Sequence, residues 1–225
     1  MTAAIVQTRK GRLNLRRLGW FSFIALASVF LWLTPALYPL KIFVVFIHET
    51  GHALASVLTG GQVLTMVVTP WESGYVQHMG GNALLVASAG YVGSALFGGA
   101  MLLLSGRQQW ATKTFTSLAC LFALVTLCFV RNLFGVVFGL SAALIFGFLA
   151  WKKLRNSHYF IDVLAVMSSL YALYDLSDFL LIGAKTDAVI LAEITQVPAF
   201  TWAILWSGLS LLVVYAAGKR ALLRR

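Results

Sequence analysis

The stretch LKIFVVFIHETGHALASVLTGG, residues 40–61, decides the fold class of this chain. Its residues up to position 59 are almost all apolar or small. This composition predicts a single helix over 40–59, long enough to cross a lipid bilayer. Three polar side chains, His48, Glu49 and His52, fall near the middle of that helix. Ionisable residues inside a membrane segment are costly and usually mark a functional site.

These polar residues have the pattern H-E-x-x-H. Histidines four apart share one face of a helix and can hold the same metal ion. Glu49, beside the first histidine, is placed to take a proton from an attacking water. The pattern therefore predicts a zinc site with His48 and His52 as ligands and Glu49 as the catalytic base. The competing interpretations are a chance match and a histidine pair that binds no metal.

The composition indicates an integral membrane protein. Of 225 residues, 60% are hydrophobic and 11% are charged, which excludes a soluble hydrolase. The formal net charge is +10, but it is concentrated at the two ends of the chain and in one connection rather than on a folded face. Such flanking cations orient helices and meet anionic lipid headgroups. We therefore expect a multi-pass protein of the cell membrane, with the bilayer as a partner and no nucleic acid.

The apolar runs predict an all-α polytopic membrane protein with six or seven transmembrane helices. Besides the helix over 40–59, the predicted runs are about 18–34, 82–104, 114–130, 133–150, 158–182 and a last helix ending near 218. A short polar segment with Thr186, Asp187 and Glu193 precedes the last helix. We expect one membrane domain over 18–218, between basic tails at 1–17 and 219–225.

Residues 62–79 differ from these runs because they are β-branched and mildly alternating, with a turn around Pro70 and Gly74. They predict a short β-hairpin directly after the motif helix. An open sheet edge cannot face lipid, so the hairpin must lie at the water interface or line a protein-walled cavity. His78, on its second strand, is either a further metal ligand or a solvated interface histidine.

A zinc hydrolase uses three protein ligands and keeps one position open. Asp175 and Asp178 lie inside the apolar run 158–182. They are three residues apart on one helical face, where a carboxylate costs about 2.5–3.5 kcal/mol and needs a partner. A metal would be that partner, which predicts Asp175 as the third ligand and Asp178 as the alternate. Pairing with Arg131 or a lysine, or a place near the interface, is the other interpretation.

The chain resembles the site-2 protease superfamily of intramembrane zinc metallopeptidases, most closely its B-like branch. The resemblance rests on the H-E-x-x-H motif, on Gly60-Gly61 before the hairpin, and on Gly90-Tyr91-Val92-Gly93. A softer similarity lies in Tyr174-Asp175-Leu176-Ser177-Asp178, Thr186-Asp187-Ala188, Pro198, Trp202 and Trp206. It implies Zn²⁺ as cofactor, His48 and His52 as ligands, Glu49 as base and an aspartate ligand on a late helix. Well-studied members carry that aspartate in an Asp-Gly motif, which this chain lacks.

The function predicted from these observations is an intramembrane zinc metalloendopeptidase that cleaves in or near transmembrane segments of other membrane proteins. The hairpin near Val63, Thr65 and Val67 would hold the unwound substrate as an added strand. The alternative is a catalytically inactive membrane protein of the same fold, acting in metal binding, transport or as an adaptor. The sequence gives no oligomeric state.

Overall fold

The computed structural model describes residues 13–105, 108–178 and 186–223, and for residues 171–178 it describes the backbone alone. Within these ranges the chain forms helices and one antiparallel hairpin. A short 3-10 turn, Pro35–Leu37, leads into the second helix. The elements are α1 (Leu15–Leu31), α2 (Tyr38–Leu58), β1 (Gln62–Val68), β2 (Gly74–Met79), α3 (Ala83–Leu104), α4 (Gln108–Phe129), α5 (Leu133–Lys152), α6 (His158–Asp178), α7 (Asp187–Thr195) and α8 (Ala199–Leu223).

The predicted all-α membrane architecture with a hairpin after the motif helix is confirmed. Five of the described helices are long and apolar enough to cross a membrane: α2 with its preceding turn, α3, α4, α5 and α8. A shorter apolar stretch, His158–Leu170, begins α6. The described residues thus support five spans by length and composition, where the sequence predicts six or seven.

Two predicted connections are helical in the structure. The polar segment that contains Glu193 forms α7, because Thr186 caps it by accepting a hydrogen bond from the backbone N–H of Val189 at 3.4 Å. Leu191, fully buried, anchors this short helix to the bundle. Helix α4 begins at Gln108, six residues before the predicted apolar run that starts near 114. Both helices extend into predicted connections because capping and buried contacts stabilise additional helical turns there.

Helix α2 lies at the centre of the bundle. Of its most apolar window, 72% is buried inside the protein, against 17% for α8. Two of its phenylalanines pack on aromatic rings of α4 and α5. Phe46 stacks on Phe122 with ring centroids 4.3 Å apart, and Phe43 meets Phe146 at 6.0 Å. Aromatic contacts of this kind fix the rotation of α2, and therefore the direction in which its polar residues point.

The hairpin lies along α2 from its end back to its beginning. At the hairpin base, a Cβ on Gly61 would lie 2.6 Å from Ser56 Oγ, so glycine is required for this close approach. At the tip, the ammonium of Lys41 lies 2.9 Å from the carboxylate of Glu72. The strands thus run beside α2 over most of its length. This agrees with the predicted place of the hairpin against a wall of protein rather than lipid.

The two edges of the hairpin have different surroundings. The connection between α4 and α5 covers β1, where the backbone N–H of Arg131 donates to Met66 O at 3.0 Å. The side-chain amide of Asn132 donates to Val68 O at 2.7 Å and accepts from Val68 N at 3.2 Å, as a neighbouring strand would. Among the residues described, no backbone hydrogen bond joins β2 to a segment other than β1. The open edge of the sheet is therefore β2.

Small residues let α3 approach its neighbours closely; Gly90, Ser94 and Gly98 are spaced four apart and share one face of the helix. A Cβ on Gly98 would lie 2.8 Å from both Ala165 O and Ser169 N of α6. The backbones of the two helices are therefore in contact at this point, in the manner of small-residue interfaces between membrane helices.

This contact predicts a stability difference between two glycine variants. Gly98→Ala must push α3 away from α6, and we expect the free energy of unfolding to fall by about 1–3 kcal/mol. The matched control is Gly208→Ala on α8, where the added methyl group meets no atom within 4 Å; it should leave stability unchanged or slightly higher. Unfolding of the purified proteins in detergent micelles measures both. Equal stability of the two variants would contradict the close approach.

Candidate metal centre

The three polar residues of the motif point into the protein rather than towards lipid. His48 and His52 are each 7% exposed, and Glu49 is 5% exposed. The two imidazole rings lie side by side, with centroids 4.8 Å apart. The four-residue spacing thus places both rings on one face of α2, as the sequence predicts.

A carboxylate completes the group, and it belongs to Asp187. Its Oδ2 atom lies 3.1 Å from Nε2 of His48 and 3.1 Å from Nε2 of His52. Asp187 is the first residue of α7, and Leu191, one turn later, packs in an apolar cluster that includes Trp206. The short helix therefore has an anchor that aims its first side chain at the histidines.

The pKa of the Asp187 carboxyl is lowered in this arrangement. Burial by itself would raise the pKa of its carboxyl, but the His52 and His48 imidazoles beside it outweigh that effect and hold the pKa below its usual range. A metal ligand must be deprotonated, so an ionised buried carboxylate between two imidazoles suits a cation.

Contacts behind the ligand atoms fix the orientation of both rings. Nδ1 of His52 lies 2.6 Å from Val86 O, so an Nδ1–H donor there leaves Nε2 available to bind a metal. The ring of His48 meets Tyr91 edge to face at 5.1 Å, and Tyr91 stacks on Trp206 at 4.7 Å. These contacts support the ligand atoms from α3 and α8, as in other protein metal sites.

The geometry fits a zinc ion. The ligand atoms of His48, His52 and Asp187 all lie within 4.8 Å of one another. Tetrahedral zinc, with bonds near 2.0–2.2 Å, keeps its ligand atoms about 3.3 Å apart, close to the 3.1 Å observed here. A Cβ on Gly90 would overlap the Nε2 atoms of both histidines. The glycine therefore leaves open the space beside the ligand atoms that a metal requires.

The catalytic-base candidate packs against β2, the strand of the hairpin whose edge is open. A Cβ on Gly74, the first residue of β2, would lie 2.7 Å from Glu49 Cγ and 2.8 Å from Glu49 Oε1. The carboxylate thus lies directly against the strand backbone. Glu49 thus follows the first ligand candidate in sequence and packs against the first residue of β2, the strand whose edge is open.

The structure brings together His48, Glu49 and His52 as predicted, and adds an aspartate that the sequence did not single out. The side chains of Asp175 and Asp178 lie outside the described residues, so their predicted ligand role stays a prediction. The sequence signal for Asp187 is Thr186, a helix-capping residue directly before an acidic first turn. That signal predicts where α7 begins, but not that the first residue of α7 lies beside the histidines of α2.

Other acidic and histidine side chains that could have served as metal ligands have other partners. Glu72 pairs with Lys41 at the hairpin tip. Asp162, on α6, lies 3.5 Å from Arg17 at the far end of the bundle. His78 lies on β2, and its Nδ1 atom bonds to a backbone carbonyl two residues later. Within the described part of the chain, the three-residue group around Asp187 is the one cluster that could hold a metal.

The role of Gly90 can be tested by adding one methyl group. Gly90→Ala places that group on the two Nε2 atoms, and we expect bound zinc to be lost. The matched control is Gly93→Ala on the same helix, where a Cβ would make an ordinary 3.6 Å contact with Gly51; this variant should keep its zinc. Mass-spectrometric metal analysis of the purified proteins decides, and a full complement of zinc in Gly90→Ala would refute the proposed ion position.

The third ligand can be identified by comparing two aspartate variants. Asp187→Ala removes the carboxylate that faces both histidines, so zinc affinity should fall by about a hundredfold or more. If Asp187 is the ligand, Asp175→Ala should keep its zinc. Competition with a chromogenic chelator gives both affinities. The reverse outcome would instead support Asp175, the ligand predicted from the sequence.

Comparison with known families agrees with this geometry. The chain matches the family model described as Peptidase M50B-like over residues 21–217. No curated protein and no solved structure gives a significant match. The match covers most of the chain, including the motif helix, the hairpin, and the helix that begins with Asp187. The chain therefore belongs to the Peptidase M50B-like family, a membrane metallopeptidase family of the site-2 protease type.

Proposed function

We propose that the protein is an intramembrane zinc metalloendopeptidase that hydrolyses peptide bonds in or near transmembrane segments of other membrane proteins. The observation that carries this proposal is the buried group of His48, His52 and Asp187, with Glu49 beside it on a membrane-length helix. Metal ligands alone would suit a storage or transport site. A carboxylate next to the ligands, facing a strand edge, adds the base that hydrolysis needs.

His48, His52 and Asp187 would hold the zinc, which supplies Lewis-acid chemistry by polarising a carbonyl and lowering the pKa of water. Glu49 takes the proton from the attacking water and passes it to the leaving amine. Its burial and its contact with Gly74 hold the carboxylate in one place. The surrounding apolar bundle excludes bulk water, which strengthens each charge interaction at the site.

The peptide to be cleaved would add to the sheet at β2. The outer edge of β1 already forms hydrogen bonds with the α4–α5 connection at Met66 and Val68. These bonds do not favour a second strand at β1, so the substrate role of Val63, Thr65 and Val67 stays a prediction. A strand beside β2 would instead run past Gly74 and Glu49. Backbone hydrogen bonds would hold it with little dependence on sequence.

The expected substrate is a membrane protein because the site lies on a central membrane-length helix. A transmembrane helix hides its carbonyls in its own hydrogen bonds, so it must unwind before a water can attack. The open β2 edge can replace the hydrogen bonds that the unwound segment loses. Binding at the edge and exposure of the scissile bond would therefore occur together.

The test is Glu49→Gln, measured on a panel of fluorescently labelled single-span peptides in lipid vesicles. The variant keeps the shape of the side chain but cannot accept the proton, so cleavage should fall by about 10²–10⁴-fold while the zinc content stays constant. The matched control is Glu193→Gln, an exposed residue of α7, which should cleave normally. Full cleavage by Glu49→Gln would overturn the role of Glu49. A wild-type protein that binds zinc but cleaves no peptide would favour the non-enzymatic alternative.

A further inference from the structure

The tip of the hairpin is fastened to the beginning of α2 by two polar contacts. The hydroxyl of Tyr38 donates to Pro70 O at 2.9 Å. The ammonium of Lys41 donates to both carboxylate oxygens of Glu72, at 2.9 Å and 3.2 Å. Lys41 is 7% exposed, and its Nζ also lies 5.2 Å from the ring centroid of Trp32. The lysine is thus buried between the tip and the preceding turn.

A buried ammonium requires a partner, because an unpaired charge in an apolar interior is strongly unfavourable. Glu72 is the only acid within ion-pair distance of Lys41 among the residues described. Two apolar side chains would fill the same space, but they would not hold the tip in one direction, as two hydrogen bonds to one carboxylate do. The pair therefore supplies orientation as well as packing.

The backbone of Glu72 makes the tip dependent on this contact. Its φ is +58°, a left-handed conformation that costs energy for a residue other than glycine. Surrounding contacts must hold such a residue in place. Gly74, only two residues later, lies against the Glu49 carboxylate. A movement of the tip would therefore change the spacing between the open strand edge and the catalytic base.

We propose that the Lys41–Glu72 ion pair is a positioning contact that sets the start of β2 against Glu49 for a substrate strand. This inference rests on the proposed function, since it concerns the edge at which the peptide binds. Neither residue touches the substrate or the metal-ligand atoms. The pair acts through Ser73, the one residue between Glu72 and Gly74.

The experiment compares two zinc-binding probes on full-length protein. Acetohydroxamic acid can bind only at the metal, whereas a tripeptide hydroxamate also needs the strand edge. In Lys41→Met and in Glu72→Gln, we expect the tripeptide hydroxamate to bind about tenfold more weakly, a change of about 1.4 kcal/mol. Acetohydroxamic acid affinity and zinc content should match the wild type. The charge swap Lys41→Glu with Glu72→Lys should recover most of the lost affinity.

Lys113→Met is the matched control. This exposed lysine also lies over an aromatic ring, with Nζ 4.8 Å from the Trp110 centroid, but it has no acid partner among the described residues. It should bind both probes like the wild type. If Lys41→Met does not fold, Glu72→Gln carries the test, since Glu72 is partly exposed on a turn. Hydrogen exchange of the β2 amides gives a second measurement and should be faster in the pair variants.

The outcomes separate the two proposals. Unchanged tripeptide affinity in both pair variants, or a folded charge swap that recovers none of the lost affinity, would overturn the positioning role. An equal loss of affinity for both probes would show a general disturbance of the site and would also overturn it. A wild-type protein that holds zinc yet binds neither hydroxamate would overturn the proposed function itself.

Discussion

The arrangement depends on one carboxylate held between two imidazoles inside an apolar bundle. Asp187 Oδ2 lies 3.1 Å from a nitrogen of each histidine, although it belongs to α7 and lies 139 residues after His48 in the sequence. Buried in an apolar bundle, each of these polar groups is unfavourable alone. With a cation between them they would satisfy one another. The position of α7 follows from this requirement, since its first residue must reach the centre of the bundle.

The hairpin obeys a second constraint of the same kind. Its backbone brings polar N–H and C=O groups alongside a helix that is mostly buried, where each needs a partner. The α4–α5 connection supplies hydrogen-bond partners for part of the β1 backbone, where the Asn132 side chain takes the place of a residue in a neighbouring strand. The outer edge of β2 is left open beside Glu49. In the proposed peptidase, the substrate itself would supply the missing partner.

The parts that the sequence predicted correctly are those encoded locally. The spacing of His48 and His52 places them on one helical face without reference to the rest of the chain. The alternation and turn residues of 62–79 likewise specify a hairpin. Asp187 was not predicted as a ligand because its partners are distant in the sequence, His48 by 139 residues, and a polar segment gives no sign of its distant contacts. The small residues of α3 have two roles that the sequence pattern does not distinguish: Gly98 allows the close approach of α6, whereas Gly90 faces the histidines.

Two glycines define opposite sides of the site, and they divide its chemistry. Gly90 leaves space next to the histidine nitrogens, where a side chain would displace a metal. Gly74 leaves space next to the Glu49 carboxylate, where a side chain would displace the base or hold a substrate strand away from it. In the proposed peptidase, metal retention and substrate approach therefore depend on different elements, α3 and β2, each of which packs against α2. A change at the hairpin would then alter peptide binding and leave the metal in place, because none of the three ligand candidates, His48, His52 and Asp187, belongs to the hairpin.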